Sequence, residues 1–520
     1  LIVAASCTKK SAHVERLSIL PVNLLVSDPS SEWLKTAVPI AIDYDLMTAH
    51  DFVPHLAADD AGAAARGATR LLRTSIESRQ GGLHLEASLV DVSTQKVIRV
   101  VTSDANSASV VLPAVNALAK KIDPAAIDFS TKITPAWQAL ATAETLNNPQ
   151  QRAQFLNQAI NRDPNFGLAW FALMEMIVPN RQTELKNMID EGKAHRAAFS
   201  PFDRAQFDVA MNRLSSAPPA EQVKAAKAVL DLAPNDLDAA TTLGNYQILE
   251  GEGAAGEQSL RRAAALDPNN LEIRFQLARG LTELRKFKEA DALLSGMDKT
   301  PASYPELATV VLLEGDKARA NGVIEKFINT LPRDEFKTFV RAAWAVESGE
   351  RQKGIDLVLG ATFKDSGFAA LALGEASIWQ MMGGDYAGAQ KTIQKLSQAL
   401  NGQPSPLPIL LGLLADQTSS AGDWEKKMQA AGMPDSMKEF ALGYGFFLRG
   451  NFAEAAAVWQ RIADMSHGAD LHARAMLASS LDRAGKKAEA KRIQVLPFSP
   501  EATDLYSGIS FAEMERMLGK

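Results

Sequence analysis

The sequence predicts a mainly α fold: a long array of paired antiparallel helices preceded by one small α/β domain. Three observations carry this. Two similar turns, Leu232-Ala-Pro-Asn-Asp236 and Leu266-Asp-Pro-Asn-Asn270, set their prolines 34 residues apart, the length of one two-helix repeat. Further on, Gly251, Arg285, Gly315, Gly349, Gly384, Gly450 and Gly485 recur at spacings of 34, 30, 34, 35, 66 and 35, each followed five residues later by Gly or Ala. Before residue 128 the pattern changes to short apolar runs divided by turn residues, as strands of a half-covered sheet read.

Composition narrows the class. The 520 residues are 46% hydrophobic and 22% charged, ordinary for a folded globular chain. A net charge of −6 argues against nucleic acid, which wants a basic stripe. No apolar run reaches the roughly 18 residues of a membrane span. The one cysteine, Cys7, excludes an intrachain disulfide and a four-cysteine zinc site.

Residues 1–13 read as a processing remnant and tether. Leu1-Ile-Val-Ala-Ala-Ser-Cys7 resembles the lipobox of bacterial lipoproteins, with Ala4 where that family usually carries Leu. The resemblance implies lipidation at Cys7 and contact with a membrane only through that lipid. Thr8 rather than Asp after the cysteine implies an outer-membrane lipoprotein facing periplasm or exterior.

Residues 14–128 form the α/β domain. Leu17–Val22 reads as a buried strand. Ser30 and Ser31 precede a helix from Glu32 to about Met47. Ala57–Ala68 reads as a second helix stopped by Gly67. Strands follow at 69–77, 83–92 and 96–103, joined by turns at Gly81-Gly82 and Ser93-Thr94-Gln95. Ser109–Lys121 closes the domain as an amphipathic helix with Pro113 in its first turn. Ile19-Leu20-Pro21, Asn23, Asp28-Pro29, Gly67-Ala68 and Val90-Asp91-Val92 with Thr94 together resemble the TolB amino-terminal domain. Gln95 stands where that family prefers Gly. The resemblance implies a small sandwich-like binding or assembly domain without catalysis.

Residues 129–495 carry the repeats and resemble the tetratricopeptide family. Its signature lies in Leu243-Gly244, Gly256, Leu260 and Ala263 after Pro234, and in Leu277-Ala278, Ala290 and Leu294 after Pro268. Small residues let paired helices approach, Leu fills between them, and Pro ends the second helix. Arg162-Asp-Pro-Asn165 is a third such turn. The stretch 181–219 is less regular, interrupted by Pro201, Pro218 and Pro219. Gly422-Asp-Trp424 is the expected turn of a degenerate repeat inside the gap of 66, after a break at Gly402–Pro408. The expectation is a tetratricopeptide-repeat superhelix of about nine or ten repeats, with 496–520 as a C-terminal cap.

Motifs for chemistry are few. Gly251-Glu-Gly-Ala-Ala-Gly256 has the letters of a dinucleotide fingerprint, but a helix precedes it where the fingerprint needs a strand. No metalloprotease, nucleophile-elbow or phosphate-loop pattern occurs, and His467 and His472 read as solvated. Asp43/Asp45 and Asp59-Asp60 read as solvated loop or cap carboxylates. The sequence therefore predicts no enzyme, no cofactor, no metal and no nucleotide.

The informative positions are those that line a repeat groove. Counting from the turns puts Phe171, Asn245, Phe275, Arg279, Phe336, Phe339, Ile378, Phe440, Tyr444 and Phe447 there. Aromatics at helical spacing are also what a core uses. Were half of these exposed, they would mark a partner site. The expected function is a non-catalytic protein–protein scaffold of the bacterial cell envelope that takes a helix or peptide in its groove. Replacing Phe440 and Phe447 with Asp is expected to abolish binding without loss of helix. Two alternatives stay open. One is a structural subunit docked through the α/β domain, separable by deleting residues 14–128. The other is a glycan-capturing lipoprotein, which would need exposed Trp379, Trp424 or Trp459.

Overall fold

The computed structural model describes residues 14–493 except 80, 177–181, 216, 298–302, 401–406, 409–410, 413–420, 431–432, 434 and 466–470. Cys7 and the expected cap at 496–520 lie outside the described residues, and so do most of Gly402–Pro408 and His467. The fold is mainly α, with a small mixed sheet at its start. It divides into two compact units, Leu1–Gln276 and Leu277–Lys520.

The first unit opens with β1 (Glu15–Ile19), β2 (Asn23–Leu25), α1 (Leu34–Leu46), β3 (Phe52–Leu56), α2 (Asp60–Ala65), β4 (Arg70–Arg79), β5 (Gly82–Asp91), β6 (Lys96–Ala105) and α3 (Leu112–Ile122). The sheet order is β3-β1-β4-β5-β6, with β2 pairing β4. β1 runs parallel to β3 and β4, while β4, β5 and β6 form an antiparallel meander. The expected strands and helices are present within a few residues. β2 and β3 were not expected. β3 reads Phe-Val-Pro-His-Leu, and Pro54 argues against a central strand. Here the strand pairs only with β1, at a sheet edge where a missing N–H costs nothing. Gln95 takes φ +55°, a left-handed conformation that glycine adopts at less cost.

Ten of the thirteen residues of α1 are buried, so it is apolar on nearly every side, and such a helix must be covered on more than one side. One side packs on the sheet and α3. The other meets α4 (Thr134–Glu144) and, through Tyr44, α8 (Pro201–Leu214), and α6 (Gly167–Glu175) joins the same core; the three are first helices of successive repeats. A single hydrophobic core runs from Leu17 to Ala239 through both parts. Trp33 meets Trp137 edge-on at 4.9 Å between ring centres, and Tyr44 meets Phe129 at 5.3 Å and Phe202 at 5.8 Å. Deleting residues 14–128 would therefore strip the core from the first repeats rather than remove a separable part. Asp43 and Asp45 were expected in solvent. Asp45 is instead fully buried on α1 and Asp43 partly so. Burial raises the Asp45 carboxyl well above its usual range and lifts Asp43 to about 7.

α5 (Pro149–Arg162), α7 (Gln182–His195), α9 (Pro219–Leu232), α10 (Leu237–Leu249) and α11 (Gly253–Leu266) continue the pairs of the first unit. Pro201 and Pro219 do not interrupt the array. Each is the first residue of a helix, the one helical position that needs no N–H. α12 (Leu271–Glu283) spans the division between the units.

The second unit then holds α13 (Phe287–Ser295), α14 (Tyr304–Leu313), α15 (Lys317–Thr330), α16 (Asp334–Glu347), α17 (Arg351–Gly360), α18 (Ser366–Met382), α19 (Tyr386–Ala399), α20 (Ala421–Ala430), α21 (Asp435–Leu448), α22 (Phe452–Met465), α23 (Leu471–Arg483) and α24 (Lys487–Arg492).

All seven turn residues read from the sequence have positive φ, from +58° at Arg285 to +92° at Gly315. Gly422 is no such turn. It lies in the first turn of α20, which carries Trp424 into the core.

Gly244 of α10 and Gly256 of α11 show why the repeat needs small residues. A Cβ on Gly256 would lie 2.6 Å from the Gly244 carbonyl oxygen. Elsewhere Gly→Ala in a helix stabilises by about 1 kcal/mol. Here Gly256→Ala is expected to destabilise by about 1–3 kcal/mol through overpacking, read from the urea midpoint. Asn235 gives a second test. Its Nδ2 donates to the carbonyls of Ala49, His50 and Phe52 at 3.3, 2.8 and 3.3 Å, tying a repeat turn to the loop before β3. Asn235→Ala should cost about 1–3 kcal/mol by leaving buried acceptors unpaired, and a midpoint unchanged from wild type would refute this role.

Candidate functional site

The second unit gathers four phenylalanines where α16 and α18 begin. Phe368, in the first turn of α18, lies at the centre. Its ring meets Phe336 at 4.8 Å, Phe339 at 5.6 Å and Phe363 at 5.7 Å, all edge to face. The Arg333 guanidinium sits 4.8 Å over Phe336. All four rings are partly exposed. The local sequence explains the placement. Asp365 caps α18, accepting from Phe368 N at 2.8 Å, and Glu335 Oε1 accepts from Lys364 N at 2.6 Å, which pins the preceding loop against α16. Phe339 and Phe363 pack on the apolar core of Ala342, Val346, Ile355, Val358, Ala372 and Trp379.

The other expected groove residues are divided. Tyr444 and Phe447 are buried, and Phe440 and Tyr444 pack edge-on against Trp459 at 5.4 and 5.1 Å. Asp at Phe440 and Phe447 would therefore break packing as well as any binding surface. Ile378 is buried with Met381 and Ile393. In the first unit Phe171 is half-buried against the shared core, Phe275 is half-buried, and Asn245 Nδ2 donates to Gln276 Oε1 at 3.2 Å. Of the expected set the structure thus joins Phe336 and Phe339 with Phe363 and Phe368 in one partly exposed cluster, and gathers Phe440, Tyr444 and Phe447 in a separate core. Counting back from Gly384 passed over Phe368 because α18 has 17 residues where α16 has 14. Trp379, Trp424 and Trp459 are 4%, 1% and 0% exposed, so none offers a face to a sugar ring.

Arg279 belongs to a charged cluster that the sequence did not reveal. Glu283, one turn further along α12, is half-buried, and Arg279, Glu306 of α14 and Arg474 of α23 all act on it. Leu313 of α14 also packs on the core built by α20 to α23. Within this unit the last repeats thus return to the first. The residues that meet are nearly 200 positions apart, beyond the reach of any local pattern.

Of the glycines from Gly251 to Gly256, Gly251 makes the turn between α10 and α11, while Gly253 begins α11 and Gly256 lies inside it. Among the described residues no cluster of His, Cys, Asp and Glu is arranged to hold a metal, and no helix is long and apolar enough to cross a membrane.

No family model and no curated protein matches the chain. Similar solved structures are helical-repeat proteins. A tetratricopeptide repeat protein from Parabacteroides merdae has 13% identity and a TM-score of 0.34, covering 46% of this chain and 99% of its own. A human IFIT1 dimer with PPP-AAAA has 12% identity and a TM-score of 0.32, covering 68% and 87%. The APC/C hetero-tetramer Cut9–Hcn1 has 11% identity and a TM-score of 0.27, covering 71% and 75%.

Burial lifts the Glu283 carboxyl from 4.5 to about 7, against the pull of Arg279. An acid raised by folding binds its proton more tightly in the folded state. Its stabilisation is complete below pH 4.5 and is lost as pH rises through about 7. Glu283→Gln should flatten that loss. The variant is expected to match wild type near about pH 4 and exceed it near about pH 8 by something on the order of 1–3 kcal/mol, measured as paired urea midpoints.

Proposed function

We propose that this protein is a non-catalytic scaffold that holds a protein partner through the helical repeats of its second unit. The observation that carries this is the Phe336–Phe339–Phe363–Phe368 cluster. Four rings held edge to face, partly open and rimmed by a guanidinium, match the aromatic-and-arginine composition of binding hot spots. A stretch of core alone would have closed over the rings. The partner chemistry that fits is an apolar helix or extended segment with an acidic residue to meet Arg333. No nucleotide, nucleic acid or cofactor is part of this reading. The bacterial envelope setting and a lipid on Cys7 belong to the same proposal, and rest on Leu1–Cys7 alone.

The alternative role, a structural subunit joined through the α/β domain, is favoured by a different observation. Val97, Ile98 and Val100 are about half exposed along β6, which ends the sheet.

A photo-crosslinking residue at Phe336 would identify the partner, and the purified partner would then be titrated against variants. Phe368→Ala with Arg333→Glu is expected to weaken binding by about tenfold or more, with helical content unchanged. Binding that survives both changes would contradict the proposal.

A further inference from the structure

The sequence beyond the last described helix carries a helix start. Ile509-Ser510-Phe511-Ala512-Glu513-Met514 has Ser and Glu at the spacing of a capping box, and Ile and Met at the spacing of the hydrophobic staple around it. Gly519 follows Leu518, as a helix stop does. Read as a helix over 511–518, the stretch places Phe511, Met514 and Leu518 on one face, with Glu515 beside them. A helix of about two turns does not hold in water by itself, so this apolar face needs a surface to cover it. Residues 494–520 lie outside the described residues.

Among the described residues the last repeat offers little apolar surface. Ala473 and every residue from Met476 to Leu481 on α23 are already buried. The cluster at α16 and α18 does offer one. Phe336, Phe339, Phe363 and Phe368 are partly open, and the exposed Arg333 stands over Phe336. The two are within reach of each other. Leu313 of α14 packs on the core of α20 to α23, and α16 follows α14 by one repeat. Helices in contact lie about 8–10 Å apart, so the last repeat is on the order of 20–30 Å from the rings. Residues 494–510 span up to about 55 Å when extended. The amino-terminal stretch has the wrong charge for Arg333, because residues 1–13 carry Lys9 and Lys10 and no acid.

We propose that residues 509–518 dock on the Phe336–Phe339–Phe363–Phe368 cluster of their own chain. Phe511, Met514 and Leu518 cover the rings, and Glu515 meets Arg333. The proposal rests on the reading of this cluster as a docking surface and names its resting occupant. The segment has the chemistry that fits the partner, an apolar helix with one acidic residue. A tethered segment competes at a high effective concentration, on the order of millimolar for a short flexible link. The partner must displace it, which makes this tail a built-in competitor rather than a cap on the last repeat.

The test uses the purified full chain without partner. A photo-crosslinking residue at Met514 should join to α16 or to residues 363–368 of the same chain, as mapped by peptide mass spectrometry. Phe511→Asp should abolish that product. Glu515→Arg should lower its yield by roughly two- to fivefold, and adding Arg333→Glu should restore it. Products on α23 or α24, products that join two chains, or a charge exchange that restores nothing would overturn the proposal. With a purified partner, Phe511→Asp should tighten binding by about threefold or more. A partner bound equally by wild type and Phe511→Asp would overturn the docking alone. Tail crosslinks on a cluster that takes no partner would support the docking and contradict the partner site.

Discussion

The first unit depends on one buried carboxylate. Asp203, on α8, is 1% exposed. Its Oδ1 accepts from the Tyr44 hydroxyl at 2.7 Å and its Oδ2 from the Ser130 hydroxyl at 2.7 Å. These donors come from α1 and from the segment that enters the repeats, so one side chain ties together three stretches distant in sequence. Ser200 accepts from Asp203 N at 3.0 Å and caps α8. Gly167 leaves the space, since a Cβ there would lie 2.4 Å from the Asp203 Cβ. Burial raises the Asp203 carboxyl, and the hydroxyls of Ser130, Tyr44 and Ser200 oppose that shift. Losing one donor would leave a buried charge short of a partner, which costs more than one hydrogen bond supplies. Around this point the rings of Tyr44, Phe129, Phe166, Phe202 and Trp137 close the core.

The repeat itself was legible in the sequence because it rests on backbone rules. A turn that needs positive φ selects glycine, and helices in close approach select Gly or Ala five residues later. Both choices are local, so spacing alone located Gly251, Gly315, Gly349, Gly384, Gly450 and Gly485. Arg285 was found only because its neighbours kept time. Local signals also misled. Pro201 and Pro219 read as breaks because a proline that starts a helix and one that ends it look alike without the flanking caps. Gly422 read as a turn because a glycine before a tryptophan fits the pattern, whereas α20 had already begun. Pro54 hid β3 because sequence does not show that a strand is at an edge.

The candidate site was less legible, for a different reason. Helical spacing puts a ring on a face, but it does not say whether another helix covers that face. Phe336, 13 residues before Gly349, and Tyr444, 6 residues before Gly450, differ by two helical turns and so fall on the same face. Phe336 remains partly open beside Phe368, whereas Tyr444 is closed in by Trp459. Phe368, in the first turn of α18, borders Phe336 without burying it, and packing between α21 and α22 closes in Tyr444. The joining of the α/β segment to the repeats had one available signal. α1 reads Leu-Lys-Thr-Ala-Val-Pro-Ile-Ala-Ile-Asp-Tyr-Asp-Leu, too apolar on all sides for a helix covering one face of a sheet.

The central claim is that the α/β segment and the first repeats form one cooperative body held through Asp203. Native-state hydrogen exchange on Tyr44→Phe tests it most directly. That change removes a single hydroxyl from the network and leaves the ring in place. If the two parts share one core, amides of Leu34–Leu46 and Pro201–Leu214 should lose protection together and by the same factor. Loss confined to α1, with α8 protected as in wild type, would contradict the account.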